Sequence, residues 1–123
     1  MRFFVCIGGV REFNDYDFAK QKIDICLSRL SKCGEITIVT GHCKGTDMLA
    51  ECYAFERGYS LEVYPADWEK YGRSAGPRRN KQMVEISDYV ICFWNGKSKG
   101  TKSLIDFTKK ANNPLRIIYY DMW

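Results

Sequence analysis

Three times in this chain an apolar, strand-like run ends on glycine and a helical pattern follows: Ile7-Gly8-Gly9, Val39-Thr40-Gly41 and Phe93-Trp94-Asn95-Gly96. A strand that runs into a glycine-bearing turn and then a helix points backbone N–H groups and the positive helix end at one spot. That arrangement suits a phosphate. Three such turns on one parallel sheet would line a single crevice.

The segments between the turns support such a sheet. Phe3-Phe4-Val5-Cys6-Ile7 and Asp88-Tyr89-Val90-Ile91-Cys92-Phe93-Trp94 are continuous apolar runs, the signature of strands buried on both faces. Ile36 to Val39, Leu61 to Tyr64 and Leu115 to Tyr120 add three more strands. Phe18, Ile25, Cys26 and Leu30 stand at helical spacing ahead of Gly34. Met48, Cys52 and Phe55 mark the core face of a second helix, which Gly58 ends. A third begins near Pro77, whose missing N–H is harmless in a first turn, and a fourth spans Gly100 to Ala111. Strict alternation of strand and helix predicts an α/β domain with a three-layer architecture: about five parallel strands, helices on both faces and right-handed crossovers. With strand order 3-2-1-4-5, the order reverses between the first and fourth strands, where open sheets of this kind bind ligands.

Residues 1–123 and a mass of 14.3 kDa give one domain with no linker, repeat or low-complexity tract. The opening apolar run is too short for a signal peptide and no stretch is long enough to span a bilayer, so the expected location is cytoplasmic, with no membrane partner. Six cysteines without a C-x-x-C pair read as reduced thiols, with Cys6 and Cys92 in strands and Cys26 and Cys52 on helix core faces. His42 is the single histidine, so no metal site and no cofactor are expected. The net charge of +4 is unevenly spread: Lys70 to Lys102 holds eight basic residues against Glu85 and Asp88. A solvated basic face accounts for this bias, as does an anionic ligand, which the overlap with the glycine turns favours.

Each motif has a structural reading beside its functional one. Gly8-Gly9-Val10-Arg11 admits close backbone approach to a ligand, or makes a tight turn with Arg11 in solvent. Thr40-Gly41-His42-Cys43-Lys44-Gly45-Thr46-Asp47 lacks the Gly-Lys-Ser/Thr of a P-loop, which excludes a triphosphatase of that kind. What remains is a turn in which Thr46 or Asp47 caps the next helix or Asp47 does chemistry, with Glu51 one turn on. Gly72 to Asn80 sets Arg78, Arg79 and Asn80 at the positive end of a helix, as anion ligands or as an exposed polar face. Trp94, Asn95 and Gly96 lead into Gly100 and Thr101, so an aromatic and an amide stand ready for a base or ribose and helix amides for a phosphate. Trp94 is as well explained by packing. Trp68 and Tyr71, in a loop long enough to be functional, read as a lid or as anchors.

Taken together, these runs resemble the SLOG superfamily of Rossmann-like nucleotide-binding proteins, close to its YspA-related subgroup. The resemblance rests on Gly8-Gly9 with Arg11, Thr40-Gly41 through Gly45-Thr46-Asp47, Pro65-Ala66-Asp67-Trp68, Gly76 to Asn80, and Trp94 through Gly100-Thr101. It implies binding of a nucleotide or a nucleotide-derived ligand. Its branches include the Lonely Guy phosphoribohydrolases, sensor domains for cyclic ADP-ribose-type signals, and DNA-processing proteins that bind single strands. The phosphoribohydrolases carry Pro-Gly-Gly-x-Gly-Thr-x-x-Glu. Here Leu104 stands in the glutamate's place and Asp106 follows two residues later.

Three functions follow as expectations. The first is a sensor or sequestering module for an adenine-nucleotide-like or ADP-ribose-like ligand. Gly8, Gly9, Gly41, Gly45, Thr46, Gly100 and Thr101 would cradle phosphate or ribose, Arg11, Arg78, Arg79 and Asn80 would meet its charge, and Trp94, Asn95 and Gly96 the base. The second is an N-glycosidase in which Asp47, Glu51 or Asp106 stabilises a cationic sugar. The third, ranked last, is single-stranded nucleic-acid binding along the basic stretch. A homodimer is expected from the superfamily's tendency and from the aromatic tail Tyr119-Tyr120-Asp121-Met122-Trp123.

Overall fold

A computed structural model describes residues 1–120. Five strands, β1 (Arg2–Gly9), β2 (Glu35–Thr40), β3 (Ser60–Val63), β4 (Tyr89–Trp94) and β5 (Leu115–Tyr119), form one all-parallel sheet in the order β3-β2-β1-β4-β5. The helices are α1 (Tyr16–Leu27), α2 (Leu30–Cys33), α3 (Thr46–Arg57), α4 (Trp68–Tyr71), α5 (Ala75–Ile86) and α6 (Lys99–Lys110), with a 3-10 turn at Gly72–Ser74. This is the α/β architecture and strand order the sequence predicts. The switch point lies between β1 and β4, where Gly8 pairs with Cys92 and Gly9 with Phe93.

Side-chain alternation along the central strands divides the interior in two. Val5, Ile7, Ile38, Ile91 and Phe93 pack with Ala19, Ile23 and Leu27 of α1 and Ala50, Tyr53 and Ala54 of α3 on one face. Cys6, Val39, Val90 and Cys92 pack with Met83 and Val84 of α5 and Leu104 and Ile105 of α6 on the other. Helices therefore cover both faces, which is why the central strands read as unbroken apolar runs.

Several local expectations need correction. On α3 the buried face is Ala50, Tyr53 and Ala54, whereas Phe55 is 90% exposed and Cys52 is exposed. Two of the sheet-facing positions, Ala50 and Ala54, carry small side chains beside the buried Tyr53, so Cys52 and Phe55 mark the wrong face. On α1, Ile25 is likewise 59% exposed while Ala19, Ile23 and Leu27 are buried. Residues 65–76, read as an open loop, hold α4, the 3-10 turn and the start of α5. Asp67 initiates α4 by accepting the Lys70 amide at 3.1 Å.

All six cysteines are free. Burial pushes the Cys92 thiol up to about 12 and raises that of Cys6 well above its ordinary value, as expected of inert core thiols. Among the described residues no helix is long and apolar enough to cross a membrane. Of the aromatic tail, Tyr119 is 63% exposed and Tyr120 stacks on Phe13, while residues 121–123 lie outside the described part.

Candidate functional site

A crevice of about 620 Å³ opens at the carboxyl ends of β1 and β4. Its floor is Gly8, Gly9 and Asp47; α5 contributes Gly76, Pro77, Arg79 and Asn80; the β4–α6 turn contributes Asn95, Lys97 and Ser98; α6 contributes Lys99, Gly100 and Thr101. The structure thus brings residues from four separate motifs to one place.

The floor is built by close backbone approach. A side chain on Gly9 would meet the Phe93 carbonyl oxygen at 2.4 Å and Thr46 Oγ1 at 2.7 Å, so only glycine fits against β4 there. Thr46 is buried and donates its hydroxyl to the Val10 carbonyl at 2.9 Å, which ties the start of α3 to the end of β1. Gly45, at φ +74°, turns the chain into α3.

Asp47 does not cap α3. Its Oδ2 instead accepts the amides of Gly41 at 3.1 Å and Cys43 at 3.2 Å, closing the 41–47 loop on itself. Burial pushes its carboxyl up to about 6, although the Cys43 and Gly41 amides and the Arg79 guanidinium pull the other way. Arg79 locks the same loop from α5. It donates Nη1 to the Gly41 carbonyl at 2.7 Å and to the Tyr64 carbonyl at 3.4 Å, Nη2 to Cys43 Sγ at 3.6 Å, and Nε to Asn80 Oδ1 at 3.0 Å. Its donors are committed to the protein, so its contribution to an anion is positional charge.

The opposite wall is open. Ser98 caps α6, its hydroxyl accepting the Thr101 amide at 3.4 Å, and Asn95 Oδ1 accepts the Lys97 and Ser98 amides at 2.9 and 3.0 Å. Asn80 Nδ2 donates to the Gly100 carbonyl at 3.3 Å and so joins α5 to α6. The head groups of Arg11, Lys97 and Lys99 make no ion pair or hydrogen bond among the described residues. These three cations, with the positive end of α6, bring positive charge to a crevice that Glu12 and Asp47 also line.

Other residues named from the sequence lie elsewhere. Arg78 stacks on the Tyr71 ring at 4.5 Å and donates Nε to Ser74 Oγ, away from the crevice. Trp94 gives its indole N–H to the Ser98 carbonyl at 3.1 Å and packs on Tyr119, and Gly96 sits in the following turn at φ +81°. Glu51 is engaged by Thr40 Oγ1 and His42 Nδ1, each at 2.9 Å. Asp106 pairs with Lys102 on the exposed side of α6. Trp68 lines the crevice while Tyr71 does not. Sequence reasoning missed Glu12, Ser103 and the cap at Ser98, the last visible as Ser-x-x-Thr at the helix start.

Comparison with known proteins bears on the family and the fold. A family model described as YAcAr, the YspA, cpYpsA-related SLOG family, matches residues 3–71, which include Gly8, Gly9 and the 41–47 loop. The Gene 61 protein of Mycobacterium phage D29 is 33% identical over 86 residues, covering 65% of this chain and 69% of that protein. A solved structure of DNA processing protein A from Helicobacter pylori, described for its unique single-stranded DNA binding mode, superposes with a TM-score of 0.69. That match has 22% identity and covers 98% of this chain and 66% of the other. At that identity it speaks to the fold.

Proposed function

The chain belongs to the YspA, cpYpsA-related SLOG family, and we propose that its crevice binds a nucleotide unit of a single-stranded nucleic acid. The observation that carries this reading is the composition of the crevice: a floor of Gly8, Gly9 and the Asp47 carboxylate is lined by the cations Arg11, Lys97 and Lys99 and by the start of α6. A phosphate fits at the start of α6, where the helix end and the exposed cations favour an anion.

A free adenine-nucleotide-like or ADP-ribose-like ligand would use the same crevice. The strand reading has the better support on two counts. The fold relative is described as binding single-stranded DNA, and an adjoining hollow, lined by Arg11 and Lys44 together with Glu12 and His42, extends the surface past the crevice. The glycosidase reading has less: of Asp47, Glu51 and Asp106, only Asp47 reaches the crevice.

The test is fluorescence anisotropy of a labelled single-stranded oligomer of about twelve nucleotides, within the site sizes common for such proteins, titrated at several salt concentrations. The expected result is binding whose log K falls with log salt by about 0.7 per phosphate contacted. An oligomer that fails to bind while ADP-ribose or AMP does would reverse the order of the two readings. Failure of all three would end the proposal.

A further inference from the structure

We infer that Asp47 Oδ1 accepts a hydrogen bond from a sugar hydroxyl of the bound nucleotide, so that the crevice takes ribonucleotide units in preference to 2′-deoxyribonucleotides. This rests on the nucleotide reading above and adds the sugar class to it.

Asp47 is 6% exposed, and its two carboxylate oxygens have different surroundings. Oδ2 is saturated by the Gly41 and Cys43 amides. Oδ1 has no hydrogen-bond partner among the described residues. It lies 3.7 Å from where a Cβ of Gly8 would stand, in a residue that lines the crevice. A side chain at Gly8 would therefore stand in van der Waals contact with Oδ1 and occupy space beside it.

Oδ1 is not among the buried polar atoms left without a partner, so it stays accessible at the crevice, where a ligand hydroxyl can make a charge-assisted hydrogen bond to it. The ligand atom must be a donor, since at pH 7.5 a carboxyl with a pKa of about 6 is ionised and only accepts. A phosphate oxygen would be repelled at this point. The anion is instead attracted to the other wall, at Lys97, Lys99 and the start of α6. A unit that presents an anion to one wall and a neutral donor to the floor is a phosphorylated sugar with a free hydroxyl. Ribose meets this requirement at every position of a strand and in a free ribonucleotide alike. Deoxyribose inside a strand has no hydroxyl to offer.

The experiment measures dissociation constants for matched RNA and DNA oligomers, and for AMP and its 2′,3′-dideoxy form, which lacks the 3′-hydroxyl that dAMP would still offer, on the full chain and on two variants. The unaltered protein should bind each ribose form about tenfold or more tighter than its deoxy partner, the range of a hydrogen bond to a charged acceptor. In Asp47→Asn the amide oxygen can still take the Gly41 and Cys43 amides, but a donor replaces the free acceptor. The preference should fall to about twofold or less. Gly8→Ala keeps the carboxylate and its loop, and its methyl meets the flexible end of Leu104, at 2.8 Å, and occupies space beside Oδ1. It should also lose the preference. The oligomer pair and the mononucleotide pair separate RNA from a free ribonucleotide as the source of the hydroxyl.

Equal binding of ribose and deoxy forms by the unaltered protein would overturn the inference and leave the nucleotide reading intact. So would a preference that survives both variants, or one that follows the identity of the base. Binding of neither form would remove the nucleotide reading as well.

Discussion

The two walls of the crevice are built on opposite principles. The wall formed by β1, the 41–47 loop and Arg79 is held by hydrogen bonds within the protein: Thr46 to Val10, Asp47 to two amides, Arg79 to two carbonyls and a thiol. The wall formed by the β4–α6 turn is exposed, and the head groups of Lys97 and Lys99 make no ion pair or hydrogen bond among the described residues. The first wall fixes a shape and the second supplies charge. Polar groups locked into the fold should govern stability, whereas cations in solvent should govern affinity and its salt dependence, because exposed charges add little to stability.

The largest effect should come from the floor. Gly9→Ala forces a methyl against the backbone of Phe93, which cannot step aside without breaking the β1–β4 pairing. A loss of about 3 kcal/mol or more is expected in urea denaturation. A mild loss would mean that the two strands are less closely locked than the geometry implies.

Asp47 gives a pH signature of the same wall. Its carboxyl is raised on folding from 3.8 to about 6, so the native state binds more protons than the unfolded chain between those values. Stability from this group is therefore present in full below about pH 4 and declines as pH rises toward 6, by at most about 3 kcal/mol. Asp47→Asn should flatten that decline relative to the unaltered protein in denaturation curves from pH 4 to 7. Curves that stay parallel would place the carboxylate in a wetter setting.

Arg79→Ala should cost about 2 kcal/mol, since the Gly41 carbonyl and the 41–47 loop lose their clamp. Arg79→Lys should recover only part of this, because an ammonium cannot span the same acceptors.

On the open wall the pattern should invert. Lys97→Ala with Lys99→Ala should leave the melting curve within about 0.5 kcal/mol while weakening oligomer binding several-fold and making its salt slope shallower. The smallest effect belongs to Arg78→Ala. Arg78 is stacked on Tyr71 outside the crevice, so neither affinity nor stability should move by more than about 0.5 kcal/mol. If Arg78→Ala instead weakened binding as much as the lysine pair, the charged wall would have to extend over α5.

These differences also explain what could be read from the sequence. The strand order and the switch point were legible because β1 and β4 are apolar on both faces and each ends in a glycine-bearing or small polar turn. Of the charged wall, Gly100 and Thr101 stand among the residues singled out from the sequence, whereas Lys97 and Lys99 entered only as part of the basic bias from Lys70 to Lys102. The hydrogen-bonded wall was not legible. Asp47 and Arg79 are far apart in sequence, and their partners are backbone groups, which carry no residue-type signal. Arg78 and Arg79 look equivalent as adjacent arginines, yet helical geometry sends one to Tyr71 and the other into the 41–47 loop. The α3 face was misread because Ala50 and Ala54 pack against the sheet while Phe55, the conspicuous residue, points to solvent.

The most direct test of the nucleotide reading is a two-dimensional amide NMR titration of the protein with AMP and with a short single strand. The account predicts shifts concentrated at Gly8, Gly9, Gly100 and Thr101, the amides on either side of the crevice. Shifts that cluster around Arg78, Tyr71 and the exposed edge of β3, or a spectrum unchanged by either ligand, would contradict it.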